Sequence, residues 1–117
     1  MICFEVFRNG EKLCRAGKRE LLVLGSNISF VSGRDGREDE LNIHVGGLYD
    51  DEVRGQVHPR WIERQMLDVG DEIIIRIIES ETADEPVGEQ VDSKEFAETQ
   101  ERKYYERLKA KFENDNS

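Results

Sequence analysis

Glu72-Ile73-Ile74-Ile75-Arg76-Ile77-Ile78-Glu79 is the stretch on which the fold turns. β-branched side chains crowd a helix and pack well on a pleated surface, so isoleucines on either side of one arginine read as the strongest strand of the chain. Its apolar residues fall on both faces, which predicts a central strand covered on both sides.

Upstream, the pattern stays strand-like back to the start. Ile2 to Phe7 is β-branched and aromatic, and Asn9-Gly10 is the preferred dipeptide of a two-residue type I′ hairpin, whose central residues both need positive φ. A plain hairpin pairs Arg8 with Glu11, Val6 with Leu13, Glu5 with Cys14 and Phe4 with Arg15. Ile2, Phe4, Val6 and Leu13 then share one face, and Cys3, Phe7, Cys14 and Ala16 the other. Cys3 and Cys14 read as small buried apolar residues in a reducing compartment, since two cysteines are too few for a disulfide scaffold.

A second strand covers Glu20–Leu24 and is broken by Gly25-Ser26-Asn27. Ile28 and Phe30, then Leu41, Ile43 and Val45, alternate with polar residues at period 2, and the charged run 33–40 between them reads as a solvated hairpin loop. Gly46-Gly47 is expected to end that strand. From His58, Trp61, Ile62, Gln65 and Met66 recur at helical spacing and Pro59 suits a first helical turn, so a short helical turn is expected there. Gly70 marks the turn into the isoleucine run.

Beyond Glu79 the composition changes. Residues 80–91 are rich in Glu, Asp, Thr, Pro and Gly and read as an acidic linker between a β-rich domain, 1–79, and a C-terminal helix, 92–113. Asp92 with Glu95 resembles a capping box. Ala97, Glu101, Tyr104, Tyr105, Leu108 and Phe112 fall within one stripe of about 100° on a helical wheel. That stripe packs either on the chain's own sheet or on a partner.

The 117 residues are enough for one core, and the net charge of −9 argues against broad affinity for phosphate backbones or anionic membranes. The acidity is uneven: residues 1–78 carry −3, residues 79–101 carry −8 and residues 102–117 carry +2. A nucleic-acid mimic, which needs carboxylates spread over a folded face, is therefore disfavoured. The first residues lack the apolar core of a signal peptide and no apolar run is long enough to span a bilayer, so a soluble cytoplasmic protein is expected.

Val45-Gly-Gly-Leu48, His58 with Trp61, and Leu67-Asp-Val-Gly-Asp-Glu-Ile-Ile-Ile-Arg-Ile-Ile-Glu79 together resemble a family of small bacterial proteins without an assigned activity. Thr82-Ala-Asp-Glu-Pro86 and the segment from Gln100 to Leu108 fit the same pattern. The resemblance implies a bacterial, single-domain, non-secreted protein and carries over no functional residue.

Phosphate-loop, dinucleotide-binding, zinc-protease and paired Cys-x-x-Cys patterns are all missing. His44, Asp50, Asp51, Glu52 and His58 offer metal-ligand chemistry, but their spacing matches no standard site, so neither a metal nor another cofactor is expected. His58, Arg60, Trp61 and Arg64 are the sharper cluster. Trp and Arg dominate binding hot spots and can also stack on bases, although the first reading is that Trp61 plugs the end of the barrel or sandwich while Arg60 and Arg64 pair with nearby acids.

The sequence therefore points to an α+β protein: a small antiparallel β-sandwich or partly open barrel of five to six strands, with a short helical turn and a C-terminal helix. The expected function is non-enzymatic protein–protein interaction or regulation, of an immunity or accessory-subunit type. Its interface candidates are His58, Arg60, Trp61, Arg64, Tyr104, Tyr105, Leu108 and Phe112, and its partner is another protein or a second copy. The alternative is a barrel that binds nucleic acid or a small ligand.

Overall fold

A computed structural model describes residues 1–92 and Arg107. The strands are β1 (Ile2–Arg8), β2 (Glu11–Ala16), β3 (Val23–Val31), β4 (Glu40–Asp51), β5 (Gly55–Met66), β6 (Ile73–Glu79) and β7 (Gly88–Asp92). They form two antiparallel sheets, β2-β1-β6 and β3-β4-β5-β7. The α+β expectation is thereby corrected to an all-β arrangement of two sheets rather than a barrel with a helix. The expected C-terminal helix, with Tyr104, Tyr105, Leu108 and Phe112, lies outside the described residues.

The turn chemistry acts as its residues dictate. Asn9 and Gly10 both take positive φ, 52° and 82°, and Arg8 pairs with Glu11. A bulge between Val6 and Phe7 then moves the register by one, so that Val6 faces Cys14, Glu5 faces Arg15 and Phe4 faces Ala16. The shift places Cys14 and Ala16 beside Val6 on the core side. Cys3 shares the other face with Glu5, so the two thiols point to opposite sides of the sheet. Both are buried and free, and burial, with the Asp84 charge nearby, pushes the Cys14 thiol up to about 11.

Val6, Cys14 and Ala16 from the first sheet meet Ile43, Val45, Trp61 and Ile62 from the second in a single core. β3 and β4 run unbroken through the glycines expected to interrupt them. Gly47 is where the strands approach most closely: a Cβ there would run into the Val23 carbonyl oxygen. The glycines permit backbone approach instead of ending the strand. The loop between β3 and β4 is as expected, with Asp35 and Gly36 at positive φ.

Two elements differ sharply from expectation. The segment read as a helical turn lies inside β5, where Val57, Pro59 and Trp61 are buried and His58 and Arg60 alternate with them. The irregular pairing of β4 with β5 comes after Pro59, where Ile43 to Gly46 face Gln65 to Arg60. β6, expected at the centre, is an edge strand bonded only to β1 among the described residues, with Ile74, Ile75 and Ile77 47%, 38% and 70% exposed. The acidic segment expected as a linker contributes β7, which pairs with the start of β5.

Candidate functional site

Strand alternation sets the polar site. With Val57, Pro59 and Trp61 turned inward, His58 and Arg60 must face outward, and His44 of β4 joins them on that outer face. Gly46, Gly47 and Gly88 leave the surface low around them. The result is a shallow cleft of about 480 Å³ lined by His44, His58, Arg60, Glu63, Arg64, Gln90 and Asp92.

His58, Arg60 and Arg64 in the cleft each have a carboxylate partner. His58 Nε2 lies 3.1 Å from Asp92 Oδ2, Arg60 Nη1 donates to Glu63 Oε1 at 2.8 Å, and Arg64 pairs with Glu40. Arg60 Nε is buried without a partner among the described residues. A phosphate entering this cleft would have to displace carboxylates, so its charge is largely spent internally. It contains no nucleophile beside a base, and no group of His, Cys, Asp and Glu able to hold a metal ion occurs among the described residues.

His58, Arg60 and Arg64 are thus brought together as the sequence suggested, but Trp61 is not with them. It is 4% exposed on the opposite face, in the core, and its Nε1 donates to the Asp84 carbonyl at 2.8 Å. It acts as the plug. Asp92, expected to cap a helix, ends β7 with its carboxylate on His58. Strict alternation through Val57-His-Pro-Arg-Trp61 was the signal that would have placed the cleft residues on one face.

A second set of ionic groups fixes the strand edges. Arg54 donates to Glu89 at 3.1 Å and to the Tyr49 hydroxyl at 2.8 Å, tying β7 to the β4–β5 turn. The Arg54 guanidinium holds the Glu89 carboxyl below the ordinary range. At the other end, Asp71 accepts from the Asp68 amide at 2.7 Å, from Asn9 at 2.9 Å and from Arg8 Nη2 at 2.6 Å. These donors, led by the Asp68 amide, bring its carboxyl down to about 2.

The apolar surface is the more unusual feature. Ile73, Ile75 and Ile77 of β6 lie on the core-facing side of the first sheet with Val6 and Phe4. Across a gap stand Ile28 and Phe30 of β3, which are 50% and 61% exposed, with Leu41 and Leu67 between. The two sheets are tied together on the β2 side through Asp84, which exchanges two bonds with the Arg15 backbone while its carbonyl accepts from Trp61 Nε1. On the β6 and β3 side the core runs out to the surface.

No helix among the described residues is long and apolar enough to cross a membrane. Comparison with protein-family models, curated proteins and solved structures finds no match to this chain.

Proposed function

We propose that this chain is a non-enzymatic protein-binding protein, a regulator, immunity-type neutraliser or accessory subunit, and that it binds through the open side bounded by β6 and β3. The observation that carries the reading is the exposure of Ile74, Ile75 and Ile77 on a strand with one edge unpaired among the described residues. An edge strand with apolar faces is a template for another chain, and proteins ordinarily blunt such edges with charge, proline or a cover. β6 carries one arginine in its middle and no proline.

The His44–Arg64 cleft supports binding of a small anion less well, because its arginines already hold carboxylates. Nucleic acid loses its stacking partner with Trp61 in the core.

The test is retention of a protein by the immobilised chain at physiological salt, compared with an Ile77→Lys variant of unchanged circular dichroism. Loss of the retained protein in the variant is expected. Equal retention by both, or a gel shift with single-stranded nucleic acid at about 50 mM salt and no protein retained, contradicts the reading.

A further inference from the structure

We infer that the occupant of the β6 edge is a second copy of this chain, paired antiparallel with β6 about a twofold axis at Ile74. The inference rests on the protein-binding reading above and names its partner.

Symmetry restricts the register. In a strand, backbone groups of alternate residues face opposite edges, and β6 already spends one set on β1. Two copies of β6 related by a twofold axis can therefore align only residues of the same parity, with one residue facing its own copy. Placing the axis at Arg76 sets guanidinium against guanidinium. Placing it at Ile75 sets Arg76 against Ile74 and Glu72 against Ile78, which leaves both charges opposite alkyl groups. Placing it at Ile74 sets Arg76 against Glu72 on both sides of the axis, with Ile73 against Ile75.

Charge complementarity favours that last arrangement because both groups lack an ionic partner among the described residues of one chain. Neither Glu72 nor Arg76 forms an ion pair among the described residues; Arg76 lies over the Phe7 ring at 5.1 Å, and both are exposed. The charged residues of β1 beside them are already engaged, Arg8 with Asp71 and Asp68, and Glu5 with Lys12 and Arg15. Opposite charges facing each other across antiparallel strands stabilise a pairing that like charges oppose.

Packing agrees with the charges. Phe7 faces Ile74 across the β1–β6 pair. The twofold axis extends this into one row, Phe7, Ile74, Ile74 of the second copy, and its Phe7. The two three-stranded sheets become one continuous six-stranded sheet, and the open β6 edge disappears in both copies. The contact is short, so association is expected at micromolar rather than nanomolar concentration.

The test is sedimentation equilibrium of the full chain at physiological salt, with oxidative trapping of variants that each carry one added cysteine, the native Cys3 and Cys14 being buried. A concentration-dependent dimer is expected. Ile74→Cys should form an interchain disulfide, whereas Ile75→Cys should not, because residues diagonal across the strands lie beyond disulfide reach of about 4.4–6.8 Å between Cα atoms. Arg76→Glu should weaken the dimer at least about tenfold, and Glu72→Arg combined with Arg76→Glu should restore it. All four positions are on the surface strand or its approach, and circular dichroism confirms that each variant folds. A monomer at every concentration, equal trapping at positions 74 and 75, or an Arg76→Glu dimer of unchanged affinity overturns the inference. A monomer that still loses a retained protein on Ile77→Lys overturns self-pairing alone, whereas a monomer that retains no protein overturns the protein-binding reading as well.

Discussion

Trp61 shows how one residue's environment decides its role. The indole fills the core between the two sheets and its N–H finds the Asp84 carbonyl, so no polar atom is left unpaired there. Trp61→Ala should cost about 3–5 kcal/mol and Trp61→Phe about 1 kcal/mol for the lost hydrogen bond, both read from urea midpoints. Asp71 is the counterpart in charge. Its carboxyl titrates near 2 in the fold against about 3.9 in an unfolded chain. A depressed pKa contributes stability above the unfolded value and loses it as pH falls through the folded one. Glu5, lowered mainly by its bond from Lys12, acts in the same direction. The melting temperature should therefore fall between about pH 4 and pH 2, and the fall should be smaller in Asp71→Asn, which has no proton to take up there. The plug role of Trp61 was legible in the sequence, as was the pairing of Arg60 and Arg64 with nearby acids. The role of Asp71 was not, because it gathers donors from Arg8 and Asn9, over sixty residues away.

At the scale of elements, local chemistry was readable and neighbourhood was not. Asn9-Gly10 specified its turn because only positive φ at both residues closes a two-residue loop compatible with strand twist. The bulge after Val6 carried no such signature and moved Cys14 to the core. β5 was hidden by Pro59, which suits a helix start but here sits inside a strand, between Val57 and Arg60, which pair with β4 in one register. β7 was hidden by composition: Gly88–Asp92 has one apolar residue, Val91, and is held by backbone pairing with β5 and by Arg54 and His58. The isoleucines of β6 announced a strand, but apolar faces do not reveal whether an edge is paired. The β3–β4 contact gives a direct test of close approach. Gly47→Ala forces a methyl against the Val23 carbonyl and should destabilise the fold by about 1–3 kcal/mol, whereas Gly25→Ala, with open space at that point, should cost under about 1 kcal/mol; thermal unfolding of the two variants separates them.

For the whole molecule, the same two sheets create both the closed core and the open flank. Bonds linking Arg15, Asp84 and Trp61 hold one side together. On the other side the apolar surface continues past Ile73, Ile28 and Leu41 into solvent with an unpaired strand edge beside it. Residues 1–92 carry a net charge of −9, the same as the whole chain, with six of the acids lying between Glu79 and Asp92. Two such bodies repel one another, so salt should act on pairing both by screening that repulsion and by weakening the Glu72 and Arg76 contacts. The central claim, that β6 is an edge awaiting a strand, is tested most directly by residue-resolved amide hydrogen exchange over a range of protein concentrations. The outward amides between Glu72 and Arg76 should slow as concentration rises, while those of the 33–39 loop stay constant. Exchange at these β6 amides that is the same at every concentration would contradict the claim.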